Sequence, residues 1–533
     1  MERPVATSDD LERETPAAES AEGGGNALKV GAVGLVGVLF MAVANAAPIT
    51  AMTGNVPISV GYGNGIGAPA GFLVATVVLT LFTVGFVSMA RYITTAGAFY
   101  GFITHGLGQV WGMASGVLAT MAYVVFEGSL IGIFAYFSND ALERWFSVDV
   151  NWLLIAVVGI VAIGFLGYFD INIAATFLGV TLVAEVVLLS ALALSVLFSG
   201  GGPDGLVWEA INPVKAFSSL PAGGGAGLQL DGKTIAAGSA AIGLFFAFWS
   251  WVGYETTAVY GEESRNPKRI VPRATLIAVV GLGLFYTFVS WMMIAGNGKS
   301  TSITKANTDA IGLWVDLAQA KLGGSFIGDI YLFLIVIGSF SCGLAFHNAA
   351  SRYLYAIGRE LPATRATLGA SHGKHQTPYI ASIVQSVITL VLTFGFYFLT
   401  GDGSDPTTGG YVYQYGLLAL LGTMAILIVQ AITSVAVIWY FHVKKAAPGH
   451  VLTTGVIPGL GGLGMLYVVY LLLSNIDFAG GAAAGSPFFT AIPWIVIGTF
   501  GAGLIGILVL RSRNRPVYDA IGRTVFEEAH SRD

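Results

Sequence analysis

Two carboxylates stand where a charge is expensive. Glu127 and Glu185 each lie inside a long apolar run, and no Lys or Arg falls within the core of any such run to pair with them. An acid at the centre of a bilayer costs at least ~2.5–3.5 kcal/mol on insertion scales, so it must be compensated or stay protonated. Desolvation favours the neutral acid, which suits Glu185 to carry a proton, loading and unloading as its access alternates. Glu127 suits the role of counter-charge to an ammonium group. Either residue could instead be a neutral acid hydrogen-bonded between helices, or a carboxylate facing a wet cavity. His347 reads first as a hydrogen-bonded packing residue and only second as a proton shuttle. Ser339 and Ser341 offer oxygens to a sodium ion, as serines in ordinary helix contacts also do. Glu255, near the end of its run, says less.

The backbone supplies a second kind of chemistry. The first apolar run, 30–63, would extend roughly 50 Å as one helix, against about 30 Å of hydrocarbon. Inside it lies Asn45-Ala46-Ala47-Pro48-Ile49-Thr50. Pro48 removes a backbone donor and clashes with the carbonyl four residues earlier. A simple kink would satisfy that sequence, and so would a helix in two pieces. The sixth run contains Phe248-Trp249-Ser250-Trp251-Val252-Gly253-Tyr254-Glu255, where Gly253 marks a second interruption. Paired breaks at matching places in two halves of a chain leave free N–H and C=O groups for a solute near the membrane midplane.

Catalytic readings find little support. The sequence holds no HExxH, no GxSxG, no P-loop and no paired Cys/His metal spacing. The string from Gly61 to Gly67 falls between two apolar runs and reads as a turn, not a nucleotide loop. No cofactor, no metal and no nucleic-acid partner is expected, and an intramembrane enzyme lacks a catalytic constellation. The one cysteine, Cys342, excludes an intrachain disulfide.

These residues need elements to position them. Of the 533 residues 55% are hydrophobic and 10% charged, where soluble domains carry roughly a quarter charged. The mean hydropathy is +0.75. The lipid bilayer is the expected solvent, and an all-α integral membrane protein the expected class. Runs of about 20 apolar residues fall near 30–63, 69–90, 110–137, 151–168, 174–199 and 236–260. Six more fall near 272–295, 327–357, 378–399, 412–441, 451–473 and 488–510, which makes twelve transmembrane helices. Residues 1–29, acidic and without an apolar stretch, are expected to be a disordered tail, and 511–533 a second tail. Polar segments at 200–235 and 297–325 interrupt the map, and 307–322 has the spacing of a short helix over the mouth. With alternating sides, 19 of the 25 Lys and Arg fall on the side of the N-terminus. That places both termini in the cytoplasm.

Gly253-Tyr254-Glu255 is followed by Glu262-Glu263-Ser264-Arg265-Asn266-Pro267-Lys268-Arg269-Ile270-Val271-Pro272-Arg273-Ala274. This stretch resembles the signature after the sixth helix of the amino acid–polyamine–organocation transporter superfamily. A second match runs from Ala349 to Pro362, and the resemblance covers about 30 to 510. It implies a 5+5 inverted repeat with helices 1 and 6 broken: 30–199, then 236–441, with two C-terminal helices over 451–510. It also implies a binding site. Ala46, Ala47 and Pro48, then Ile49 and Thr50, match the family's Gly-small-Gly motif, whose amides hold a substrate carboxylate; proline has no N–H to give. Trp249, Ser250, Trp251, Val252 and Gly253 match the lining of the sixth helix, with Trp251 as an aromatic gate able to make a cation–π contact. Some proton-coupled relatives carry lysine where this chain has Glu185. The implied function is a cytoplasmic-membrane permease that moves an amino acid by alternating access, with H+ ahead of Na+ as coupling ion. Two alternatives stand beside it: transport of a carboxylate-free amine such as a polyamine or small alkylamine, and a membrane sensor that binds without net transport.

Overall fold

The computed structural model describes residue 28 and residues 31–94, 97–168, 171–220, 228–230, 233–235, 238–474 and 486–522. The predicted N-terminal tail lies almost wholly outside these residues, as does the end of the C-terminal one.

The first run is two helices, α1 (Leu35–Ala46) and α2 (Pro48–Ile58). Then come α3 (Ala68–Ala90), a short α4 (Phe99–Leu107), α5 (Gln109–Phe146), α6 (Trp152–Tyr168) and α7 (Ile171–Phe198). The second half holds α8 (Ala240–Trp249), α9 (Pro267–Asn297), α10 (Lys299–Thr308), α11 (Gly312–Leu322), α12 (Ser325–Glu360), α13 (Pro362–Arg365), α14 (Tyr379–Leu399) and α15 (Leu418–Ile438). Two further long helices follow, Ile457–Ser474 and Pro487–Arg513. Each of the twelve predicted runs contains helix. Ten helices among the described residues are long and apolar enough to cross a membrane, and Trp152–Tyr168 is a shorter apolar one. The sixth run is discontinuous, with α8 giving way to a 3-10 turn at Tyr254–Ala258.

Sequence chemistry sets the ends. Proline opens α2 and α9, where its missing N–H is no loss. The Ser486 hydroxyl accepts from the Phe489 N–H and caps the last long helix. Within the polar segment 200–235, Leu228–Leu230 pairs antiparallel with Lys233–Ile235. The helix expected over 307–322 forms as α11, after a break at Asp309–Ile311.

Packing follows the internal repeat. Helix α3 lies along α9, α5 along α12 and α6 along α14. Across the halves, α7 packs on α12 as α15 packs on α5, and α1 packs on α9 as α8 packs on α3. Exchanging the first five spans with the second five maps each contact onto its counterpart, which is the 5+5 arrangement. Small residues allow the close approach: a Cβ on Gly283 of α9 would fall 2.2 Å from the Thr76 methyl of α3. Large apolar side chains on α6, α14 and the last helices, such as Phe165, Phe398 and Trp494, are exposed outward, as a lipid-facing surface requires. Leu28 packs with Tyr355 and Ala381, and the Gly522 N–H donates to Glu360. Both ends of the described chain therefore meet the C-terminal end of α12, here called the terminal face.

Candidate substrate site

The first break is made by one residue. Ala47 sits at φ 40, in the left-handed region, between α1 and α2. Its N–H closes α1 on the Val43 and Ala44 carbonyls. The exposed carbonyls of Asn45 and Ala46 meet side chains, not helix: the Cys342 thiol lies 3.3 Å from Asn45 O and the Tyr286 hydroxyl 2.7 Å from Ala46 O. At the start of α2, the Ile49 N–H donates to Glu185 Oε2 at 3.2 Å. A carboxyl group there faces the positive end of a helix dipole.

The second break lies against the first. Helix α8 ends at Trp249, and Gly253 takes φ +109, a conformation that favours glycine. Any Cβ there would fall 2.3 Å from the Cβ of Asn45. Glu255 folds back to accept the Gly253 N–H at 3.0 Å and the Tyr123 hydroxyl at 2.9 Å. Asn45 donates to Met41 O and to Thr256 Oγ1, tying the two breaks together.

Between them is a cavity with about 20 Å³ of water-accessible volume, enough for about one water. Its walls bring together six of the predicted residues: Ala46, Ala47, Thr50, Trp249, Ser250 and Val252. Asn45, Ala51, Asn55, Leu130, Cys342, Phe346 and Tyr415 complete the lining, none of them charged. Among the lining residues, Thr50 Oγ1 and Asn45 Oδ1 are buried without a protein hydrogen-bond partner, as are polar atoms elsewhere in the fold, Glu127 Oε1 among them. Asn55 donates to Ser250 Oγ at 2.8 Å and accepts from the Tyr415 hydroxyl, which in turn accepts the Trp249 indole N–H at 3.1 Å. Trp249 is held in place by stacking on Phe126, 4.5 Å between ring centres.

Other predicted site residues stand elsewhere. Trp251, expected as an aromatic gate, packs between Phe72 and Tyr286 and donates to Val279 O at 3.2 Å. Trp249, two residues earlier, takes the position on the cavity. Pro48, Ile49 and Gly253 shape the breaks without lining the cavity. Glu127, expected opposite a substrate ammonium, is fully buried outside the lining. Its Oε2 lies 3.0 Å from His347 Nδ1, and His347 Nε2 lies 2.7 Å from Ser382 Oγ. Helix α5 turns residues 126 and 130 toward the site and 127 toward α12 and α14, and from that placement we propose a packing role for Glu127. Truncation tests it. Glu127→Ala and His347→Ala should each lower stability by about 1–3 kcal/mol, the penalty of orphaning a buried polar group. The double variant should lose less than the sum. Substrate Kd should not change; a Kd raised for cationic solutes alone would return Glu127 to the binding site.

Both ends of the cavity are closed. Away from the terminal face, Tyr415, Tyr411 and Tyr136 stack in series, with centroids 5.7 and 4.8 Å apart. The Tyr411 hydroxyl donates to Gly54 O of α2 at 2.7 Å. On the terminal side, Arg352 grips Glu263 in a two-pronged pair at 2.6 and 2.9 Å, and Arg359 grips Glu262 at 2.8 and 3.2 Å. Arg352 also lies over the Tyr260 ring, and Val33 exchanges backbone hydrogen bonds with Glu263 and Arg265. By sequence these acids belong to a loop, Glu255 says little, and no motif singles out Asn55 or Tyr415 as site residues. Polar residues at regular places in apolar runs were the available signal for Asn55 and Tyr415; nothing local marked the ion pairs.

The amino acid permease family matches residues 33–500. A dicarboxylic amino acid permease of Saccharomyces cerevisiae is 24% identical over 355 residues, 64% of this chain and 55% of that protein. The branched-chain amino acid permease BcaP of Bacillus subtilis is 24% identical over 236 residues, 44% of this chain and 45% of that one. The serine/threonine exchanger SteT of Bacillus subtilis is 22% identical over 310 residues, 56% and 62% of the two chains. The chain thus spans about half the length of these curated relatives. Among solved structures, a manganese transporter of Eremococcus coleocola aligns with TM-score 0.56 at 11% identity, over 89% of this chain and 93% of that one. That likeness concerns the fold alone. With two broken helices meeting at a closed cavity inside a five-plus-five repeat, and a family match across nearly all the described helices, the chain belongs to the amino acid permease family of the amino acid–polyamine–organocation superfamily.

Proposed function

We propose that this protein is a secondary transporter that carries a small neutral amino acid across the cytoplasmic membrane by alternating access. One observation carries the reading. The two helix breaks touch over a cavity whose lining is uncharged and holds two unsatisfied polar atoms, Thr50 Oγ1 and Asn45 Oδ1. Asn45 Oδ1 would accept from the substrate ammonium and Thr50 would donate to its carboxylate. The closures on each side would open in turn, the tyrosine stack toward one compartment and the twin ion pairs toward the other. The excess of basic residues on the side of the N-terminus supports a cytoplasmic terminal face. Glu185 would carry the coupling proton. Among the described residues it is the acid whose side chain is bonded to the first break, and the Asn45 and Ala46 carbonyls there already face a thiol and a hydroxyl instead of a cation.

A specific observation favours a second reading, transport of a carboxylate-free amine. The first turn of α2 offers a substrate carboxylate few donors, because Pro48 has no N–H and Glu185 takes the one on Ile49. Competition separates the two. Purified protein in proteoliposomes should accumulate labelled alanine, and ethylamine should compete at least about tenfold more weakly, the loss expected when one charge-assisted hydrogen bond goes. Ethylamine competing as well as alanine would favour the amine reading. Binding without any accumulation of either would mark a sensor.

A further inference from the structure

Beyond the tyrosine stack lies a second cavity, of about 310 Å³. It is within the size range of small-molecule pockets, whereas the central cavity holds about 20 Å³. Its wall is apolar on one side, at Ile58, Ile242 and Phe246, and aromatic on another, where Tyr136 and Tyr411 lie face to face. Among the described residues, the acidic and basic side chains of the lining are two carboxylates, Asp140 and Asp309.

One guanidinium serves both. Arg144 Nε donates to Asp140 Oδ2 at 2.7 Å, and a terminal nitrogen of the same group donates to Asp309 Oδ1 at 3.1 Å. Asp309 Oδ1 also accepts the Gly312 N–H at 2.8 Å. Arg144 does not line the cavity. The trio carries two negative charges against one positive, and the negative members are those the cavity presents. The three groups are partly exposed, Asp309 the most, and the excess falls on the recess that the two carboxylates line. A tyrosine face beside it attracts a cation further.

We propose that this cavity binds an organic cation, an ammonium or guanidinium on a short apolar body, at a site separate from the central one. The charged head sits between Asp140 and Asp309 and the body lies along Phe246 and the Tyr136–Tyr411 pair. Binding there requires neither transport nor an amino acid in the central cavity, so it stands or falls apart from the proposed function.

Three probes of similar shape isolate the charge: benzylammonium, benzyl alcohol and phenylacetate, titrated calorimetrically into the purified full-length protein. Benzylammonium should bind at least about tenfold more tightly than benzyl alcohol, the worth of one charge-assisted hydrogen bond, and phenylacetate should not bind. Asp140→Asn and Asp309→Asn should each weaken benzylammonium about tenfold. Asn keeps the shape and, at 309, the cap on Gly312. Arg144→Gln should move affinity the other way, tightening it by releasing both carboxylates. Thr50→Val, in the central cavity, should leave it unchanged. Equal affinity for benzylammonium and benzyl alcohol, or a loss on Thr50→Val with both Asn variants unaffected, would overturn the proposal.

Discussion

Glu185→Gln is expected to abolish uphill uptake driven by a pH gradient while sparing exchange of labelled for unlabelled substrate. The carboxyl group is buried on α7 against the first turn of α2. Gly338 of α12 makes room for it, since a Cβ there would fall 2.7 Å from Glu185 Oε1. Glutamine fills the same space and can still accept the Ile49 N–H, so the break should keep its shape. What it cannot do is gain or lose a proton. A one-unit pH gradient sustains about tenfold accumulation in one-to-one symport, since each unit is worth about 1.4 kcal/mol. The wild type should approach that ratio in proteoliposomes and the variant should stop at equal concentrations. Gradient-driven accumulation that persists in Glu185→Gln would remove the proton role.

The second large effect belongs to the terminal-side closure. Glu263→Gln should lower Tm and shift the resting population toward the state open on the terminal face. Arg352 is buried, and its two-pronged partner is Glu263. Removing one member of such a pair costs about 3–5 kcal/mol, because the other charge is left desolvated. Opening the closure lets water reach the guanidinium, so the cost falls on the closed state. A shift of that size is more than a hundredfold in population, at about 1.4 kcal/mol per tenfold. Replacing both partners, as in Glu263→Met with Arg352→Met, should recover much of the stability. Glu263→Gln with unchanged Tm and unchanged accessibility from the terminal face would show that the pair does not hold the closed state.

Much of this was legible in the chain itself, for reasons that differ by residue. Pro48 and Gly253 declare the breaks because each alters the backbone wherever it stands. Glu185 and Glu127 declare themselves as acids in apolar runs, but their partners do not. Glu185 meets Ile49, 136 positions away, and Glu127 meets His347, 220 positions away. Composition places both acids in the membrane and cannot say which faces a cavity. The choice between Trp249 and Trp251 turns on where α8 ends, and one residue of helix rotates a side chain by about 100°. The acids at 262 and 263 look like surface loop residues until α12 brings Arg352 and Arg359 across from about ninety positions further on. Nothing in the sequence announces helix α4, whose nine residues are too few to span a membrane.

Cys342 gives the most direct test of the central claim that the touching breaks enclose a substrate cavity open to each side in turn. It is the protein's single cysteine, it lines the cavity, and its thiol lies on the Asn45 carbonyl at the first break. Oriented proteoliposomes can be treated with a membrane-impermeant alkylating reagent on one side at a time. Cys342 should react from each side, and saturating substrate should slow both reactions. Substrate-insensitive labelling, or a thiol that never reacts while transport proceeds, would contradict the account.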